Sequence, residues 1–180
     1  MMGAMRTFSD DRGFTLVEVL AAMLVLAAGA IGMAELVALT AVSTRSARAV
    51  TSESILALDK LEQLRSLTWG YDATGTPVSD TTTDLSVQPP TNAGAGLGAS
   101  PIDSLDRNLA GYADFLDAGG RWVGAGTAPP PTAAFVRRWN ISPLPANPDV
   151  LILQVLVTTI GHARSPQDAV MTTVKSRSAA

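Results

Sequence analysis

The sequence predicts an α+β protein: one long N-terminal helix, membrane-embedded in its first half, packed through its second half on a small C-terminal antiparallel β-sheet. Three observations carry this. Residues 19–34 hold no charge, and the apolar run continues past Glu35 to Ala41. Residues 40–67 contain neither glycine nor proline and set leucines at helical spacing. Residues 134–141, 149–160 and 170–175 read as strands separated by proline- and glycine-bearing turns.

Composition narrows the function before any motif is considered. A chain of 180 residues suggests one domain with an appendage. Apolar residues reach 47% and charged residues only 16%, an excess concentrated in the N-terminal run and in alanine. The formal net charge of −3 gives no general case for nucleic-acid binding, which shows as a basic patch or stripe. With no cysteine, structural disulfides, Cys-ligated zinc and thiol catalysis are excluded. An exported domain of this composition holds itself by packing and sheet hydrogen bonds.

The N-terminus comes next. Residues 1–13 form a polar leader carrying Arg6 and Arg12 but also Asp10 and Asp11. A secretory signal peptide has an apolar core of about 7–15 residues followed by a small-residue cleavage site. Here the core is longer, and apolar sequence continues past the small residues at 28–30. Extended to Ala41 the run is long enough to cross a bilayer, which takes about 20 residues of helix. The plain reading is a signal anchor with its arginines in the cytoplasm. A carboxylate at the centre of a bilayer helix costs about 2.5–3.5 kcal/mol on insertion scales, so Glu18 beside the run needs an account. Two stand open: a hydrated interfacial acid favoured by the helix dipole, or an acid awaiting a partner charge.

The residues Gly13-Phe14-Thr15-Leu16-Val17-Glu18-Val19-Leu20 resemble the prepilin signature of type IV pilins and type II secretion pseudopilins. The resemblance implies that a membrane prepilin peptidase cuts between Gly13 and Phe14, ahead of the apolar run, and that Phe14 is N-methylated. A cut there leaves the anchor on the product. It also implies that Glu18 pairs with the N-terminal amine of a neighbouring subunit and fixes its register, since opposite charges that pair in hydrocarbon avoid most of the burial penalty. One position departs from the pattern: major pilins commonly carry a proline where this chain has Glu35. Gly29 and Gly32 supply a weaker flexible point, each worth about 1 kcal/mol of helix propensity against alanine. Glu35 itself is read as an acid at the outer interface, with a second buried acid as the alternative.

Beyond the membrane run, residues 42–69 continue the helix with a stripe formed by Ala57, Leu61, Leu64 and Leu67, together with Ile55, Leu56 and Leu58. Arg45, Arg48, Glu53, Asp59, Lys60, Glu62 and Arg65 are assigned to the other, solvated face, and Gly70 to the left-handed cap. Residues 70–132 read as a Gly/Pro/Thr-rich variable loop region. Its 94–98 glycine run is not a dinucleotide fingerprint, because no strand precedes it and no amphipathic helix follows. Within the region, residues 111–123 read as a hairpin turning at Gly119-Gly120.

Residues 133–180 read as the sheet, an antiparallel meander joined by short connections. Phe135, Arg137, Trp139 and Ile141 fall on one face. Pro143, Pro145 and Pro148 mark the first turn, and residues 161–168 the second. This order of strands is similar to that of PilV-type minor pilins. Arg137 and Arg138 point to opposite faces and make no single anion patch; they read as solvated or salt-bridged. His162, the one histidine, supports neither a triad nor a histidine-rich metal site. Asp114 and Asp117 are only a weak calcium-loop candidate.

The sequence therefore points to a non-enzymatic filament subunit with no cofactor and no metal. Its domains divide as leader 1–13, membrane and assembly helix 14–41, amphipathic helix 42–69, variable region 70–132 and sheet 133–180. The resemblance implies a minor pilin that helps initiate or modify a type IV pilus, with roles in adhesion, twitching or DNA uptake. Its partners are then the prepilin peptidase, other major and minor pilins or pseudopilins, the inner-membrane assembly platform and, before assembly, the lipid bilayer. The location implied is the bacterial inner membrane, with the C-terminal domain in the periplasm, and then the pilus or pseudopilus. A minor pseudopilin of type II secretion is the alternative within the family. A membrane-anchored periplasmic binding domain is the alternative outside it.

Overall fold

The computed structural model describes residues 15–161, 165 and 168–178. Gly13, Phe14, His162 and Pro166 lie outside the described residues. The chain divides into two compact units, Met1–Ser46 and Ala47–Ala180.

A single helix, α1 (Leu16–Ser66), supplies all the described structure of the first unit and enters the second. The second unit adds nine strands. β1 (Trp69–Tyr71) and β2 (Pro77–Ser79) form one small antiparallel pair, and β3 (Thr83–Asp84) and β4 (Thr91–Asn92) another. The remaining strands are β5 (Ala113–Leu116), β6 (Trp122–Ala125), β7 (Phe135–Leu144), β8 (Asn147–Thr159) and β9 (Ala169–Ser176). They form one sheet in the order β6-β5-β7-β8-β9, with every neighbouring pair antiparallel. The α+β class is as expected: a long apolar N-terminal helix followed by an antiparallel sheet.

Alternation along the strands builds the core. Trp139 and Ile141 of β7 and Leu151, Leu153, Val155 and Val157 of β8 point to the same side of the sheet and join Ala57, Leu61 and Leu64 of α1. Leu85 and Leu97, from the segment between β2 and β5, complete the cluster. The β5–β6 hairpin turns at Gly119-Gly120 as the sequence suggests. Asp117 N donates to the Arg121 carbonyl at 2.8 Å, and Gly120 sits at φ 78°. This hairpin lies inside the 70–132 segment, so two of the five sheet strands come from there.

Several details differ from the sequence reading. Ile55 and Leu58 are exposed, whereas Glu53 and Lys60 are buried. The buried face of α1 is thus Glu53, Ala57, Lys60, Leu61 and Leu64, a helical face with two charged members. Gly70 is not a helix cap. The helix ends at Ser66, and Gly70 lies in β1, bridged to Ser178, where an added Cβ would meet Ser178 Oγ at 2.7 Å. Pro143 and Pro148 lie within strands rather than in the turn. Each occupies a place that needs no ladder donor: β5 pairs β7 only over residues 135–138, and β9 pairs β8 only from Val150 onward.

Candidate functional site

The site suggested by the sequence begins at the first turn of α1. Thr15 precedes the helix, and its carbonyl accepts from Glu18 N at 3.0 Å and Val19 N at 3.2 Å. Its Oγ1 also accepts from Glu18 N, at 3.3 Å. Thr15 is therefore the N-cap, satisfying a donor that would otherwise be orphaned. The spacing Thr15-Leu16-Val17-Glu18 matches the capping-box pattern and was available in the sequence as a signal for where the helix begins. Glu18 sits in the first turn, where the positive end of the helix dipole favours a carboxylate.

From this acid an apolar surface extends along the helix. Glu18, Val19, Ala22, Met23, Leu26 and Ala27 line one strip beginning at the carboxylate. Every residue from 15 to 49 is exposed, with Leu26 at 75% and Leu39 at 68%. A soluble monomer rarely presents apolar surface on this scale; such a surface marks a lipid or protein contact. The helix is long and apolar enough to cross a membrane.

The family model for the prokaryotic N-terminal methylation motif matches residues 8–34. The chain thus carries the N-terminal motif found in type IV prepilin-like proteins. The match spans both Gly13 and Phe14 and continues along the exposed apolar helix. No curated protein and no solved structure matches the chain. The prepilin-like motif implies processing by a prepilin peptidase and assembly with other pilins, and such proteins are structural subunits rather than enzymes. With the long apolar helix it also suggests a membrane-anchored pilin.

A second constellation lies in the other unit. Asp114 of β5 is fully buried and opposite Arg137 of β7 in the strand register. Arg137 grips it with two bonds, Nε to Oδ1 and Nη2 to Oδ2, both 2.9 Å. Lys60 of α1 reaches the same Oδ2 at 2.8 Å and donates to the Leu85 carbonyl at 2.6 Å, with Trp139 facing its ammonium at 4.6 Å. Arg137 Nη1 turns back to the helix, donating to Asp59 Oδ2 at 2.9 Å and the Leu56 carbonyl at 3.1 Å. The Asp59 side chain is 59% exposed, so the set opens to solvent on one side only.

The electrostatics follow from this geometry. Burial pulls the Lys60 ammonium down to about 8, against the opposing pull of Asp114. Burial also acts to lower the Arg137 guanidinium, but hydrogen bonds and charge attraction from Asp114 and Asp59 outweigh it and hold the group above its ordinary value. With its amine enclosed by a carboxylate, a carbonyl and an indole, Lys60 serves as a tie between helix and sheet. The sequence reading missed this cluster, placing Lys60 and Asp59 together on a solvated face. The available signal was the 57–60–61–64 spacing, which sets Lys60 beside three core positions. Arg137 and Arg138 do lie on opposite faces: Arg138 Nε donates to Asn108 Oδ1 at 2.8 Å. Asp114 is an ion-pair partner rather than a calcium ligand. Asp117 accepts from Gly119 N and Arg121 N in the hairpin turn. Among the described residues no group of three or more His, Cys, Asp or Glu side chains could hold a metal.

Proposed function

We propose that this chain is a minor type IV pilin, similar to the PilV type, which helps initiate or modify pilus assembly. The observation that carries the reading is the methylation motif running into a helix exposed at every residue from 16 to 49. A helix of this kind cannot remain bare in water. Before assembly it lies in the inner membrane, and afterwards among the helices of other pilins, with the sheet unit on the periplasmic side.

Cleavage between Gly13 and Phe14 converts the leader-bearing precursor into a chain that begins with a cationic amine at the base of the helix, and Phe14 is the N-methylated residue. Glu18 follows within about one helical turn, near enough to be reached by the amine of a neighbouring subunit but placed so that only one axial offset satisfies both charges. The same chemistry serves a minor pseudopilin of type II secretion, which is the alternative; the length of the 70–132 segment favours a pilus subunit, since pseudopilins tend to be smaller.

Intact mass and N-terminal sequence of the membrane-extracted protein, with and without a prepilin peptidase, test the reading. The expected product starts at N-methylated Phe14. A chain that keeps residues 1–13 in the presence of the peptidase is an ordinary anchored domain, and the filament reading then fails. Gly13→Val, which puts a branched side chain where the peptidase must approach the backbone, is expected to accumulate precursor on an immunoblot.

A further inference from the structure

The second acid of the apolar helix, Glu35, has no assigned partner, and helix geometry shows why it needs one. Glu18 and Glu35 are 17 positions apart (35 − 18), about 26 Å of helix at 1.5 Å per residue. The hydrocarbon core of a bilayer is about 30 Å thick, and tilting the helix only shortens the span between the two acids. Both carboxylates therefore cannot clear the core by helix position alone. Side chains on a helix lean toward its N-terminus. That lean carries the Glu18 carboxylate out toward the cytoplasmic interface, but it carries the Glu35 carboxylate inward. Glu35 is the acid left facing the apolar layer.

The chain supplies a matching cation. Between Glu18 and Arg45 the only charged residue is Glu35. Arg45 is ten positions beyond it, about 15 Å along the same helix and out of reach. Its side chain leans toward the helix N-terminus, so the stem lies back along the apolar helix while the guanidinium stays at the membrane surface. Glu35 lies on one strip with Ala38, Leu39 and Val42, and Ala38 leaves room for a second helix to approach closely. That strip is exposed along its length.

We infer that Glu35 accepts an ion pair from Arg45 of a second copy of this chain, whose helix lies parallel and is displaced by about ten residues, about 15 Å, toward the N-terminal end. Copies of a single-pass protein share one orientation, which makes the contact parallel. The acid and the base sit at different heights, so the contact is head-to-tail: one copy offers its Glu35 and the other its Arg45, and this neighbour is a different one from the subunit whose amine reaches Glu18. This deepens the filament reading and rests on it.

The test exploits the absence of cysteine from the chain. Two differently tagged full-length copies are co-expressed with a prepilin peptidase, one carrying Leu39→Cys and the other Ala49→Cys, positions one helical turn beyond Glu35 and Arg45. The expected result is a 39–49 disulfide that outnumbers the 39–39 and 49–49 products. Adding Glu35→Gln to both copies is expected to lower its yield severalfold, and Glu35→Arg further. Combining Glu35→Arg with Arg45→Glu in both copies is expected to restore it, since every contact is then reversed. A missing 39–49 product, or a yield indifferent to Glu35→Gln and Glu35→Arg, overturns the pairing. Loss that the double reversal does not rescue assigns Glu35 to a different protein and overturns the copy-to-copy contact. The N-terminus of the same samples separates the two levels: mature chains without the disulfide sink this contact alone, whereas uncut chains sink the filament reading and this contact with it.

Discussion

Asp114 shows how a single residue decides whether a buried charge set holds together. It is shared by Lys60 and Arg137, and its side chain is 0% exposed. Replacing it by alanine leaves the two buried cations facing each other, with only the largely exposed Asp59 beside Arg137. Breaking a buried pair in this way costs about 3–5 kcal/mol, and Asp114→Ala is expected to lower the denaturation midpoint of the full chain in detergent accordingly. Lys60→Met is expected to cost much less, because the Arg137–Asp114 bonds survive and a desolvated ammonium is removed. Lys60 also gives a pH signature. Its folded pKa, about 8, lies below its ordinary 10.5, so between those values the unfolded chain binds more protons than the folded one. Stability from this group therefore rises with pH across that window, by about 3 kcal/mol at full extent. Denaturation midpoints of the wild type relative to Lys60→Met, measured from pH 7 to 10.5, should show the rise. A flat difference would mean that the ammonium is less desolvated than its surroundings imply.

At the scale of elements, α1 and the sheet were legible to different degrees. Ala57, Leu61 and Leu64 declared the buried face by spacing alone, and they are core residues. Ile55 and Leu58 were read as their companions because they are apolar, yet their helical angle carries them to the outside. Glu53 shows the reverse error. It is buried because Thr159 of β8 donates to its Oε1 at 2.9 Å, a partner 106 positions away that no local pattern announces. The strands of the 133–180 region were visible through their β-prone runs. Their ends were not, because a proline read as a breaker becomes harmless where the neighbouring strand has already stopped. The packing of α1 on the sheet is testable at Leu64, which is fully buried. Leu64→Ala is expected to destabilise the full chain by about 2–5 kcal/mol. Leu58→Ala, three helical steps from Leu61 but half-exposed, is expected to change it by about 0.5 kcal/mol or less. Chemical denaturation of the two variants side by side checks the assignment of faces.

For the molecule as a whole, the part that announces a biological role is one whose described residues are all exposed. Residues 8–34 are contiguous, so their pattern can be read directly, and the same contiguity lets the family model match them. The sheet is specified by pairings such as Arg137 with Asp114 and Val150 with Ser176, which join distant positions and leave no motif in the linear sequence. Residues 15–49 offer an apolar surface that no described residue covers. The proposed assembly asks two things of the helix: that it stay anchored in lipid, and that it later meet another helix. Glu18 is where the two requirements can be told apart. Glu18→Ala removes the charge that would receive a neighbour's amine but keeps a good helix former, the Thr15 cap and the apolar strip. Export, processing at Gly13 and the fold of the sheet unit are therefore expected to be unchanged, while recovery in sheared filaments falls at least tenfold. Immunoblots of the sheared and cell-bound fractions measure both quantities in one culture. Equal loss from both fractions would assign Glu18 to stability of the anchor, and undiminished recovery in filaments would remove it from the assembly contact.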